Sequence, residues 1–252
     1  MRTLERHGDV YALFVDIMGF ADSLEQLSRD EFFHLRSSLE GGFDFGLTPQ
    51  ALNVLSRYRA FHGFLHNEIK QWHDYIHTVI EFSDSAFVVL DLAVAAESLA
   101  VQMMCSFMLK RLPVRMGIGA GSFARMAFAT SSNPDGLLIA SAPFMGTSIV
   151  RAYRAQACKA KGLRIFLHPS AIRRDRPGGW MYVDLPEDEC SESCATELSF
   201  VLKLGEDVEQ LRAAVLSMRS GVSNPRALLH YNGTEAALAR FVAAIDRAQP
   251  NR

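Results

Sequence analysis

Read along the chain, the apolar positions fall into alternating runs of two kinds. Val10 to Val15 (VYALFV) is a continuous apolar, β-rich run, the pattern of a strand buried on both faces. It stops at Asp16-Ile17-Met18-Gly19-Phe20, after which Leu24, Leu27, Phe32, Phe33, Leu35 and Leu39 recur near a 3.6-residue period and predict a helix. The glycine-rich stretch Gly41 to Thr48 breaks that period, and Pro49 opens a second helix expected to reach about Trp72. Tyr75 to Glu81 and Ala86 to Leu90 are expected strands of a tight hairpin turning at Phe82-Ser83-Asp84-Ser85. A long apolar helix over Ala93 to Leu109 ends before Pro113. Val114 to Ile118 is the next expected strand, with Phe123 to Phe128 pairing back on it.

The second half continues the mixture. Phe144 to Cys158 predicts a helix, Arg164 to Leu167 a strand, and Met181 to Val183 and Leu198 to Leu202 two more strands. Val208 to Met218 and Ala227 to Ile245 predict two helices around Ser223-Asn224-Pro225. No internal repeat or low-complexity linker is present. Strands alternating with helices, with hairpins among them, indicate an α+β fold with helices packed on a mixed sheet.

Composition narrows the function classes. Of 252 residues 49% are apolar and 21% charged, which excludes a disordered or fibrous chain. With 26 basic against 28 acidic residues the net charge is -2, which argues against direct nucleic-acid binding. No apolar run reaches the roughly 18 residues that a membrane span needs, and Asp16 interrupts the first one, so neither a span nor a signal peptide is expected. The four cysteines, Cys105, Cys158, Cys190 and Cys194, suit neither a disulfide framework nor a zinc site, since only the last two are close and no second ligand pair lies near them. A reducing cytoplasm is the simplest expected home.

The candidate chemistry rests on two carboxylates. Asp16 directly follows a buried strand, and Asp84 lies in a hairpin turn. A carboxylate at the end of a core strand is costly unless paired or metal-bound. Two of them with small or flexible neighbours can present hard oxygen ligands to Mg²⁺ or Mn²⁺. The alternative is ordinary: a helix-capping Asp and a turn Asp.

Four motifs, in order over about residues 10 to 170, widen the picture. Phe14-Val15-Asp16-Ile17-Met18-Gly19-Phe20 resembles the F-x-D-I-x-G-F signature of class III nucleotidyl cyclase domains. Phe82-Ser83-Asp84 resembles that family's hairpin G-D, with Ser83 in place of glycine. Val114 to Gly121 (VRMGIGAG) resembles its R-x-G-I-x-x-G strand, and Gly146 to Arg154 (GTSIVRAYR) its G-x-x-V-N-x-A-x-R helix. The resemblance implies a mixed, mainly antiparallel cyclase sheet over residues 1–205 and a helical C-terminal extension over 206–252. It also implies two divalent ions, Mg²⁺ or Mn²⁺, held by Asp16, Asp84 and the backbone carbonyl of Ile17, with Met18, Gly19 and Phe20 offering backbone N–H groups to phosphate. Arg154 is then the arginine that stabilises the transition state, donated across a head-to-tail homodimer with shared sites.

Departures from the family pattern carry information too. Val150 replaces the family's asparagine, and Arg151, on the same helix face as Arg154, either takes part of that polar role or is a solvated surface residue. Adenylate cyclases read the purine with a lysine and an aspartate where this chain has Ile80 and Pro143, and the Glu and Cys of guanylate cyclases are absent there as well. The interval between Asp16 and Asp84 is long, and the excess lies near Tyr58, Tyr75 and His77, each a core residue or a base contact. The chain thus resembles the pyrimidine cyclases of bacterial Pycsar anti-phage systems. That implies conversion of UTP, or less expectedly CTP, into a cyclic monophosphate that acts on a separate effector. The other readings are an adenylate cyclase with an unusual base pocket, or an inactive cyclase-like dimerisation or nucleotide-binding module. A diguanylate cyclase is disfavoured because the chain lacks a G-G-[DE]-E-F run.

Overall fold

The computed structural model describes residues 4–41, 46–126, 129–132, 138–141, 144–173, 182–201 and 206–248. At its centre is β1 (Leu4–Ile17), flanked antiparallel by β3 (Ser85–Leu90) on one side and β4 (Val114–Met126) on the other. β2 (Ile76–Glu81) extends the sheet beyond β3. Beyond β4 come β8 (Ile165–Leu167), β10 (Thr196–Leu198) and β9 (Tyr182–Asp184), giving the order β2-β3-β1-β4-β8-β10-β9. β4 also pairs with the short β7 (Phe144–Met145), and among the described strands only the β4–β8 pairing is parallel. A separate two-stranded ribbon joins β5 (Ala129–Ser132) to β6 (Leu138–Ser141). The fold is therefore α+β with a mainly antiparallel sheet, as expected.

The period-2 alternation of the central strands sorts their side chains into two cores. Leu13, Val15, Val88, Leu90, Met116 and Ile118 face the larger one. It is closed by α3 (Pro49–Lys70), α4 (Ala93–Leu109), α6 (Glu206–Arg219) and α7 (Pro225–Ala248). Buried residues run along most of α4, from Ala95 to Met108, which explains why its sequence is largely apolar. Among the described residues, no helix is long and apolar enough to cross a membrane.

The opposite face carries Ala12, Phe14, Phe87 and Val89 under α5 (Thr147–Gln156). Helix and sheet approach closely because Gly117 and Gly119 of β4 lie beneath the helix. A Cβ at Gly117 would fall 2.2 Å from the Ala152 carbonyl oxygen, and one at Gly119 would fall 2.4 Å from the Ala152 nitrogen. No side chain fits between those backbones.

Several elements differ from their sequence expectation. The helix expected after Phe20 is two helices, α1 (Phe20–Glu25) and α2 (Arg29–Gly41). The break is made by a capping box: the Ser28 N–H donates to Glu31 Oε2 (2.8 Å) and the Glu31 N–H to Ser28 Oγ (3.2 Å). Phe32 and Phe33, placed by period on the buried face, are more than half exposed, and only Leu35 and Ser38 of α2 are buried among its described side chains.

The expected β4 hairpin is instead one 13-residue strand, because Gly119 and Gly121 serve helix contact rather than a turn. Phe144 and Met145 are strand, and α5 begins only after Gly146. β10 ends at Leu198, so the strand expected from Leu198 onward lies earlier, at Thr196–Leu198.

Candidate active site

The two sequence-selected carboxylates meet because a hairpin turn docks on a strand end. Asp16 is paired in register with Ser85 of β3 and Arg115 of β4. One residue on, the Ile17 N–H donates to the Asp84 carbonyl oxygen at 2.9 Å, fastening the β2–β3 turn to the end of β1. Asp16 is half-buried. The Gln156 amide of α5 donates to its Oδ2 at 3.1 Å, while Ser83 Oγ donates to Asp84 Oδ1 at 3.0 Å.

Burial first, and the Asp84 charge second, push the Asp16 carboxyl up to about 7, against smaller opposing pulls from Arg115 and the Gln156 hydrogen bond. Neither carboxylate has an ion-pair partner among the described residues. The nearest buried cation, Arg115, spends its Nη2 on the Cys158 carbonyl oxygen (2.9 Å) and lies 4.5 Å over the Phe166 ring.

This pair fits a hard divalent cation. It is an acidic pair with no ion-pair partner among the described residues, and a dication between the oxygens would offset both the burial and the repulsion that raise Asp16. Among the described residues no group of three or more His, Cys, Asp and Glu side chains could hold a metal. An ion here would therefore rely on two carboxylates, backbone oxygen, water and substrate, the incomplete protein ligation that suits Mg²⁺.

The following turn is fixed from three sides. The Met18 N–H donates to the Pro113 carbonyl (2.9 Å), and Arg57 of α3 donates from Nη2 to the Met18 carbonyl (2.7 Å) and from Nη1 to Ser23 Oγ (3.3 Å). Gly19 adopts φ 69°, a left-handed conformation that suits glycine. Phe20 is buried beside Tyr58, at 6.4 Å between ring centroids.

The other expected positions divide. Ile80 is half-buried on the α5 side of the sheet, packed against the Phe14 and Phe87 cluster. Pro143 lies outside the described residues. Arg154 is exposed on α5 beside Val150 and Tyr153, and among the described residues no hydrogen bond or ion pair joins it to Asp16 or Asp84 of its own chain. Arg151 is half-buried, and its Nη1 donates to the Ala120 carbonyl at 2.7 Å, so it is anchored to β4. Of the aromatic candidates, Tyr58 packs on the core and against His62, His77 pairs with Asp91 at 2.5 Å, and Tyr75 is exposed.

Sequence reasoning missed Gln156 and Arg57, whose contacts span long stretches of chain, and gave Arg115, the arginine of the VRMGIGAG motif, no role at the site. It also missed the clamp on Glu81, whose carboxylate meets His62 Nδ1 at 2.6 Å and His66 Nε2 at 2.7 Å. The i, i+4 spacing of the two histidines on α3 places them on one helix face and was the available signal.

No protein-family model matches the chain, and no curated protein does. Solved structures do. The chain resembles two structures of a bacterial light-regulated adenylyl cyclase, with TM-scores of 0.53 and 0.52 at 11% and 10% identity. Those alignments cover 86% and 85% of this chain, which spans about three fifths of the matched chains (59% and 58%). It is also similar to the adenylyl cyclase CyaB from P. aeruginosa, with a TM-score of 0.47 and 17% identity over 81% of this chain and 98% of that one. The sheet order, the hairpin docked on β1 and the light-regulated cyclase superpositions together give this chain the fold of the class III nucleotidyl cyclase catalytic domain.

Proposed function

We propose that the protein is a nucleotidyl cyclase that closes a nucleoside triphosphate to its 3',5'-cyclic monophosphate with release of pyrophosphate. The observation that carries this reading is the junction of Asp16 and Asp84 at the docked hairpin, an acidic pair without an ion-pair partner among the described residues. Asp16, Asp84 and the Ile17 carbonyl would hold two divalent ions. When bound, these supply charge neutralisation of the triphosphate and a lowered pKa for the ribose 3'-hydroxyl.

The chain's own part is positioning. Gln156 orients Asp16, Ser83 orients Asp84, and Arg57 with Pro113 holds the Met18–Gly19 turn beside them. Arg154, exposed and not bonded to its own chain's carboxylates among the described residues, would serve a partner's site, where it would stabilise charge on the transferring phosphorus. Met145, Val150 and Tyr153, all exposed apolar side chains on or beside α5, would be covered by that partner.

A two-fold homodimer makes two composite sites. Mixing inactive Asp16→Ala chains with inactive Arg154→Ala chains should therefore restore measurable turnover, because some heterodimers carry one intact site. Failure to recover activity after subunit exchange has been demonstrated would refute the shared site.

For substrate, we propose a pyrimidine, UTP before CTP, with the product serving as a messenger to a separate effector in anti-phage defence. Support comes from Ile80, whose side chain has no donor or acceptor for a purine edge and is committed to apolar packing. A base edge left unpaired in a buried pocket costs roughly 1–3 kcal/mol per polar atom. The likeness to adenylyl cyclases favours the competing reading, adenylate cyclisation through an unusual pocket. Product analysis by mass spectrometry from equimolar ATP, GTP, CTP and UTP with Mn²⁺ separates them. The expected main product is cyclic UMP or cyclic CMP; cyclic AMP would defeat the pyrimidine assignment, and no cyclic product at all would favour an inactive nucleotide-binding module.

A further inference from the structure

Behind the Met18–Gly19 turn lies a cavity of about 440 Å³ whose walls, apart from that turn, the cyclase reading does not use. One wall is the turn itself with Asp22 of α1, a second is Pro113, Lys161 and Leu163, and the third is the start of α7, from Arg226 to Tyr231. The C-terminal helix is thus what makes the cavity. Its floor is apolar and buried, formed by Leu163 and Tyr231, and Met18, Pro113 and the exposed Leu229 add further apolar surface.

Its charges are at the rim. Lys161 and Arg226 are exposed, and neither has an ion-pair partner among the described residues. Asp22 is the one acidic residue of the lining. His230 is held as a neutral acceptor: its Nδ1 takes a hydrogen bond from the Gly162 N–H (3.3 Å), which leaves the ring proton on Nε2 as a further donor. Burial first, then Arg115 and Lys161, depress this imidazole to about 4, so it adds no charge near neutrality.

We infer that this cavity binds a small amphiphilic anion, with a planar or branched apolar body against Leu163, Leu229 and Tyr231 and one anionic group between Lys161 and Arg226. The volume falls within the range of small-molecule sites, and such sites combine mostly apolar walls with a few placed polar groups. The mainly apolar lining argues against a bare polyphosphate, which would leave that surface without a partner. The two unpaired cations argue against a neutral hydrocarbon. The inference stands independently of the cyclase reading, although the site shares its first wall with the turn that follows Asp16 and Ile17.

The probe is 8-anilinonaphthalene-1-sulfonate, an aromatic body with one sulfonate, titrated by fluorescence into the full chain at pH 7.5. Saturable one-site binding is expected. The double variant Lys161→Ala/Arg226→Ala should weaken it at least about tenfold, and Asp22→Asn should tighten it a few-fold by removing like charge. Ala227→Trp, which fills the cavity from α7, should abolish it. The two cation replacements are at exposed positions, so they keep the test open even where the tryptophan variant fails to fold.

Two results would overturn the assignment. The first is unchanged affinity in the double variant, which would place the dye on another apolar surface. The second is full displacement of the dye by inorganic pyrophosphate at comparable concentration, which would make the chamber a polyphosphate site that needs no apolar body. Cyclase assays on the same preparations report separately on the proposed activity.

Discussion

Replacing Asp84 by alanine is expected to lower cyclic-nucleotide formation by about 10³-fold or more, with Asp16→Ala equally damaging, while circular dichroism shows a folded chain. On the proposed function, each substitution strips one of the two carboxylate ligands that the described residues offer, and the remaining carboxylate could not hold two hard cations against a tetra-anionic substrate. The fold should persist because the strand pairing around these residues is made by backbone. The Ile17 N–H bonds the Asp84 carbonyl oxygen, not its side chain, and Asp16 pairs with Ser85 and Arg115 through the ladder. Turnover within tenfold of wild type at saturating Mn²⁺, for either variant, would show that these carboxylates are not the metal site.

The second large effect is on stability. Asp16→Asn should make the metal-free protein more stable at pH 8 while leaving it inactive. The sign follows from the raised carboxyl. Asp16 titrates at about 7 in the folded chain against an ordinary value of 3.8, so between those values the folded state binds a proton that the unfolded state has lost. Its contribution to stability therefore falls as pH rises from about 4 to 7 and levels off above, where the folded chain carries a disfavoured charge.

Asparagine removes that charge and keeps an acceptor for the Gln156 amide. The gain should be roughly 2–4 kcal/mol at pH 8, about 5–15 °C in Tm for a chain of this size, and close to zero at pH 4. Millimolar Mg²⁺ or Mn²⁺ should close the gap by raising wild type alone. Thermal melts of both proteins across pH 4 to 8, with and without the cation, decide it; parallel pH profiles would show that Asp16 is not a strained acid.

Both expectations concern residues that were visible in the sequence, and the reason is physical. A continuous apolar run buried on both faces has few structural alternatives, so β1 and the carboxylate at its end could be placed without knowing a single contact. The β2–β3 hairpin was equally plain from its turn residues, as were α3, from Pro49, and the two C-terminal helices, from their period. The split between α1 and α2 was also written locally, in Ser28 and Glu31, but the longer apolar period drew attention away from the cap.

Other features had no local signature. Gly119 and Gly121 look like punctuation in a sequence, and only the close approach of α5 explains why they lie inside a 13-residue strand. Gln156, Arg115 and Arg57 join the candidate site through contacts between residues far apart in the chain, and no spacing rule anticipates such partners. Arg154 was legible as a motif residue, whereas its exposure on α5, with no bond to its own chain's carboxylates among the described residues, was not.

The sequence by itself thus determined the elements whose burial or capping is decided within a few residues: the central strand, the acidic hairpin, the apolar α4 and the helical tail. Tertiary structure alone decided which of those elements meet. It set the burial of Asp16 beside Asp84 that raises one carboxyl, and the helix–sheet contact that demands glycine. It also set the chamber that α7 closes against the Met18–Gly19 turn. Local patterns encode how a segment buries its own surface, whereas desolvation, charge pairing and cavities arise between segments and exist only once the chain has packed.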